Sequence, residues 1–205
     1  MEILRKVILL TLVVFSTSIF AQSNESLQEA FASSYQLEID GKYSEAINEL
    51  KNVYNEESYD INLRLGWLHY VSGLFSESTP YYIRCIQLKP LSIEARLGIV
   101  NPAAAMGNWT QVENTYNDIL AMDSENSTAN YRLGVINYGK EDYKKASKYF
   151  DKLLNHYPFD YDALIMSAWT YYKMGEMRKA KILFNKALLN QPNDKSALEG
   201  LSLIN

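Results

Sequence analysis

The groups with the most evident chemical potential in this chain are one thiol, two imidazoles and one loop rich in carboxylates. Cys85 could act as a nucleophile only with a base beside it, and neither His69 nor His156 is near it in sequence. One cysteine allows no intrachain disulfide, and two widely separated histidines leave too little for a transition-metal site. The loop DSENSTAN, Asp123 to Asn130, gathers carboxylates and amides but lacks the glycine and distal glutamate of a calcium loop. A solvated turn is expected there. His69 and Cys85 are expected in the core, the imidazole with one nitrogen satisfied and the thiol as a small hydrophobe. With no phosphate-binding loop and no paired nucleophile and base, we expect no catalytic, cofactor-binding or metal-binding residues, and no enzyme.

Charge narrows the partners further. The 205 residues carry 24 acidic and 20 basic side chains, a net charge of −4, and no lysine and arginine run suited to a phosphate backbone. Nucleic acid is therefore not an expected partner. Three matches to the N-glycosylation pattern, at Asn24, Asn108 and Asn126, are too short to weigh much. The second also contains Trp109, which is expected in the core.

The elements that must position any functional side chain come in copies. GKYSEAINELKNVYNEES begins at Gly41, GLFSESTPYYIRCIQLKP at Gly73, GNWTQVENTYNDILAMDS at Gly107, EDYKKASKYFDKLLNHYP at Glu141, and GEMRKAKILFNKALLNQPN at Gly175. Their central residues, Ala46, Ser78, Val112, Ala146 and Ala180, step by 32 residues once and then by 34. Before each copy lies a second helical segment, such as NLRLGWLHY from Asn62 and NYRLGVINY from Asn130. A period near 34 with this pairing resembles the tetratricopeptide repeat (TPR) family. The match rests on Leu133, Gly134, Ala146, Phe150 and Pro158 in the fourth copy, and on Ala168, Tyr171, Ala180, Phe184 and Pro192 in the fifth.

Packing explains the pattern. Antiparallel helices approach closely where small residues meet, so Ser34, Gly66, Gly98, Gly134 and Ala168 on the first helix are expected to face the small central residues of the second. Val112 is the bulkiest exception. Large side chains then fill the flanks: Tyr43, Phe75, Trp109, Tyr143 and Met177 at the start of the second helix, and Leu50, Tyr82, Tyr116, Phe150 and Phe184 further along it. Prolines 90, 158 and 192 should stop it. The third copy is irregular. Gly98 to Gly107 is longer than Gly66 to Gly73, which suggests an insertion around Asn101 and Pro102 and a kink or bulge there.

The expected fold is thus all-α, a right-handed superhelical solenoid of about five helix-turn-helix repeats with a C-terminal capping helix. Repeats are expected at about 27–58, 59–90, 91–126, 127–160 and 161–193, with the cap at 194–205. Ahead of them, a basic MEILRK, a 14-residue apolar run and an abrupt polar turn have the order of a secretory signal peptide over 1–21, cleaved near Ala21, and a short polar segment covers 22–26. Export to the periplasm or cell envelope, with no stable membrane anchor after cleavage, is the expectation.

The TPR resemblance implies that the first helix of each repeat lines a concave groove. Phe31, Tyr35, Trp67, Tyr70, Tyr131, Tyr138, Trp169 and Tyr172 would then face a protein or peptide partner, as aromatic anchors suit. Arg64, Arg96 and Arg132, each just before a Leu-Gly pair, could contact an anionic partner. Local pairing such as Asp60 with Arg64 is the simpler expectation. Phe31, Tyr35 and Leu63 replace the Lys and Asn of a chaperone carboxylate clamp, so that ligand is not implied. The function expected is a non-enzymatic interaction scaffold of the envelope; a structural subunit contacting partners through its convex face or helix ends is the alternative.

Overall fold

A computed structural model of the chain describes residues 25–204, and the signal peptide and most of the polar segment expected at the N-terminus lie outside them. The described residues form eleven α-helices and no strand. Helix α1 covers 25–39, followed by α2 (Tyr43–Asn52), α3 (Tyr59–Val71), α4 (Phe75–Leu88), α5 (Ile93–Ala105) and α6 (Trp109–Met122). Then come α7 (Ser127–Gly139), α8 (Tyr143–His156), α9 (Tyr161–Lys173), α10 (Met177–Asn190) and α11 (Lys195–Ile204). None is long and apolar enough to cross a membrane.

Two rows of terminal residues fix these boundaries. Ser58, Ser92, Asn126, Asp160 and Asp194 stand 34 residues apart, and each side-chain oxygen accepts from the backbone N–H three residues on. An N-cap of this kind is worth about 1 kcal/mol. At the other end of each odd-numbered helix up to α9 sits a residue with positive φ: Gly41, Gly73, Gly107, Glu141 and Gly175. The chain closes around it with paired bonds, such as Lys42 N–H to Leu37 O and Gly41 N–H to Glu38 O, a Schellman turn.

Glu141 departs from that row, holding φ 61° where the other four are glycine. A side chain at left-handed φ carries strain that glycine avoids. Glu141→Gly is expected to stabilise the protein by about 1 kcal/mol, raising the melting temperature by about 2–4 °C; an unchanged or lower value in a thermal melt would contradict it.

Counting from the caps corrects the third repeat. Helices α3, α5, α7 and α9 all have 13 residues, so α5 holds no insertion. Its eighth residue, matching Gly66 and Gly134, is Val100; Gly98 is the sixth. The helix runs uninterrupted through Pro102, so no bulge forms, although the bond to the Gly98 carbonyl is necessarily lost. Pro80 sits inside α4 in the same way, a position the sequence pattern had not singled out.

The described residues divide into two compact units, one up to Gly107 and one from Asn108. In the first, Ala46, Ile47 and Leu50 of α2 bury against Ile61, Leu65 and Leu68 of α3. The second is built around Leu164, Ala168, Ala180, Phe184 and Ala187, with Ala197 of α11 joining them. The eighth residues of α2, α4, α6, α8 and α10 (Leu50, Tyr82, Tyr116, Phe150, Phe184) are all buried, as expected. Their first residues are not: Trp109 is 60% exposed and Met177 is also exposed, while Tyr43, Phe75 and Tyr143 are half-buried. A first-turn side chain reaches only the rim of the crossing. Helix α11 buries Ala197 and Gly200 but leaves Leu198 and Leu203 exposed, so its outer face is not wholly polar.

Candidate partner-binding faces

In the first unit, α1 and α3 border a cleft of about 330 Å³ lined by Phe31, Tyr35, Asp60, Leu63, Arg64 and Trp67. Tyr35 and Trp67 are 52% and 38% exposed, on helices held by the buried core beneath them. Phe31 lies 6.5 Å from Tyr35 between ring centroids, and Trp67 lies 5.7 Å from Tyr70. Tyr70 in turn meets Phe75 of α4 at 5.8 Å, so it is half-buried.

Arg64 is the electrostatic centre of this cleft, yet its side chain is only 6% exposed. Its Nη1 donates to Glu38 Oε2 at 2.5 Å, its Nε to Ser34 Oγ at 3.2 Å, and its guanidinium lies 3.8 Å from the Tyr35 ring centroid. Glu38 also accepts from Trp67 Nε1 at 2.6 Å. Arg64 therefore does pair, with Glu38 of α1 and not with Asp60 of its own helix.

The three arginines do not form one row. Arg64 and Arg132 are the sixth residues of α3 and α7, whereas Arg96 is the fourth of α5, half-buried and bonded to the Ser92 carbonyl at 3.1 Å. Arg132 is exposed and lies 5.9 Å from the Tyr131 ring centroid.

The second unit has its own cleft of about 410 Å³, whose lining includes Thr128, Tyr131, Arg132, Tyr157 and Asp162. Its aromatic candidates are more engaged with the core. Tyr131 packs on Phe150 at 6.1 Å, Tyr138 on Tyr143 at 5.4 Å, and Trp169 on Phe184 at 5.0 Å. Trp169 further donates to Ser196 Oγ at 2.8 Å and meets Tyr172 at 5.6 Å. All four are half-buried. Leu63 lines the first cleft with Phe31 and Tyr35, as its groove position implied, whereas Asp60, expected only as a local partner of Arg64, lines it too; Glu38, which holds Arg64 and Trp67 from α1, was not singled out from sequence.

The polar core residues are structural. Cys85 is fully buried, donates to the Tyr59 carbonyl at 3.5 Å, and burial pushes its thiol up to about 12, far from a reactive thiolate. No group of histidine, cysteine and carboxylate side chains among the described residues could hold a metal ion. His69 is buried with Nδ1 bonded to the Leu65 carbonyl at 2.7 Å and its ring 4.9 Å from Tyr81.

Burial, the largest influence on His69, lowers its pKa; the Leu65 bond opposes this, Lys51 adds to it and Glu77 opposes it. In the unfolded chain the imidazole titrates near the ordinary value of about 6.5. The unfolded state then binds the proton first, so this contribution to stability is intact above about pH 6.5 and falls as pH drops below it. Asn137 occupies the equivalent site of α7 and donates to Leu133 O at 2.7 Å. His69→Asn is thus expected to keep the bond while flattening the loss of stability between pH 7 and pH 5.5. Urea titrations at both pH values check this, and an unchanged slope would assign the loss to other groups.

Helix hairpins repeated at 34-residue intervals, with side chains of the first helix presented to solvent, define a repeat protein of the kind that serves as a protein–protein interaction scaffold. Sequence profiles described as tetratricopeptide repeat match residues 97–163 and 137–202. The chain is a tetratricopeptide repeat protein. Solved structures share the fold at low identity. A tetratricopeptide repeat protein from Parabacteroides merdae superposes with a TM-score of 0.74 at 22% identity, covering 88% of this chain and 72% of that one. MamA gives 0.68 at 19%, covering 80% and 91%. YrrB, described as a TPR protein with an unusual peptide-binding site, gives 0.69 at 13%, covering 91% and 97%. No curated protein matches the sequence at a significant level.

Proposed function

We propose that this protein is a non-enzymatic scaffold of the bacterial cell envelope that docks a peptide or protein segment on the aromatic face of its first unit. The observation that carries this is the pair Tyr35 and Trp67, two large rings exposed around a cleft on helices fixed by a buried core. Rigid aromatic side chains supply contact area at small entropic cost and dominate interface energetics. Export is supported by the charged, apolar and polar order of residues 1–21. A peptide ligand accords with the description of YrrB.

The alternative, docking through the outer helix faces, is supported by Ile182 and Leu189 of α10 and Leu198 of α11, all exposed. Affinity capture from an envelope fraction separates the two readings. Tyr35→Ala/Trp67→Ala is the informative variant, because Trp169 is tied into the core by Phe184 and Ser196. Loss of the captured partner with the helical content intact is the expected outcome; a partner retained in full would move the interface to the outer faces.

A further inference from the structure

The cleft of the first unit carries an electrostatic bias opposite to the one its arginine suggests. Arg64 is buried, its charge answered by Glu38, and its remaining nitrogen Nη2 is sealed from solvent without a partner. It presents little to a ligand. Asp60, in contrast, is exposed on the first turn of α3 and lines the cleft with no hydrogen bond or ion pair among the described residues. Counting Asp60, Glu38 and Arg64 together, the site holds one excess negative charge. The indole N–H of Trp67 is taken up by Glu38, so what Trp67 offers a ligand is its ring.

We propose that this cleft receives the side chain of a lysine or arginine from a peptide segment, an inference that rests on the reading of this face as a docking site. The aliphatic stem of such a residue would lie along Phe31 and Leu63, with the rings of Tyr35 and Trp67 beside it and the cationic head directed to Asp60. Long basic side chains bury their stems while keeping the charged end in a polar setting, and aromatic ring faces attract cations. A volume of about 330 Å³ suits one such side chain. The second unit's cleft, lined by Asp160, Asp162 and Arg132, carries the same formal excess but arranges it differently, with an exposed cation beside its ring. There Asp160 is committed to capping α9, and Asp162 shares the lining with an exposed Arg132.

The test is an NMR titration of the protein with acetylated, amidated Gly-Gly-Xaa-Gly-Gly peptides at millimolar concentration. Xaa is lysine, arginine, norleucine or glutamate, and the readout is the Trp67 indole resonance assigned with Trp67→Phe. Lysine and arginine peptides are expected to shift it in a saturable, salt-sensitive way, with norleucine and glutamate at least tenfold weaker. Asp60→Asn, which leaves the Ser58 cap in place, is expected to weaken the basic peptides about tenfold while leaving the circular dichroism unchanged. Equal binding of norleucine would overturn the inference and leave the docking function standing. Preference for glutamate would overturn it in favour of Arg64 as the recognising group. No shift with any peptide would also overturn it, and the docking function falls with it only if the Tyr35→Ala/Trp67→Ala variant retains its captured partner.

Discussion

Replacing Phe150 with alanine is expected to destabilise the second unit by about 3–5 kcal/mol, the range for removing a fully enclosed aromatic ring. Phe150 has no exposed surface and fills the space between α7 and α8. That space exists because Gly134 has no side chain: a Cβ there would stand 2.5 Å from Phe150 Cε1. Gly134→Ala should therefore also destabilise. The alanine gains about 1 kcal/mol in helix propensity, while forcing aside a ring with no free surface costs toward the upper end of about 1–3 kcal/mol, a net loss of about 1–2 kcal/mol. Combining Gly134→Ala with Phe150→Leu makes room for the new methyl group, so the double variant is expected to lie above the sum of the singles by about 1 kcal/mol. Lys144→Leu, at an exposed site on the same helix, should stay within about 0.5 kcal/mol. Urea denaturation of the wild type, the four single variants (Phe150→Leu included) and the double variant provides the measurement. A neutral or stabilising Gly134→Ala would show that α7 and α8 do not approach as closely as this crossing requires.

The same crossing shows which parts of the structure local sequence determines. Gly134, Ala146 and Phe150 could be placed from their spacing because a helix crossing needs a small residue on one side and a large one beside it, whatever surrounds them. The third repeat was misregistered because Leu97-Gly98 imitates the Leu-Gly pairs at 65–66 and 133–134. Its boundaries, set by the Ser92 cap and the turn at Gly107, put Val100 at that site instead. Ser58 belongs to the row of N-caps, which is visible in the sequence as a hydroxyl, amide or carboxylate every 34 residues. Exposure was harder to read. Trp109 stands in a row of large residues expected in the core, yet it lies outside and the rest of the row is at most half-buried, since burial at the first turn depends on what the fold brings over it. Trp169 has the same type and register as Trp67 but is held by Phe184 and Ser196 from α10 and α11.

Glu38 is where long-range pairing departs most from the local pattern, and its removal is expected to have the second large effect. Asp60 is the obvious partner for Arg64 at helical spacing; the actual partner comes from α1, 26 residues away. Glu38→Ala would strand the Arg64 guanidinium, 6% exposed and already holding one unpartnered nitrogen, beside the Tyr35 ring. Breaking a buried pair from one side costs about 3–5 kcal/mol, and because the Glu38 side chain is 23% exposed the lower end, about 3 kcal/mol, is expected. Arg64→Met should cost less, about 1 kcal/mol, since the remaining carboxylate keeps its bond from Trp67 and some contact with water. The double variant, with neither charge left, is expected to lie closer to Arg64→Met than to Glu38→Ala. Urea unfolding of all three gives the comparison, and equal, small losses for the two single variants would mean that the pair is solvated. The order matters for binding as well as stability. If Glu38 is what withdraws Arg64 from the cleft, its removal takes away the excess negative charge, and Glu38→Ala should lose the preference for basic peptides even at temperatures where the first unit remains folded.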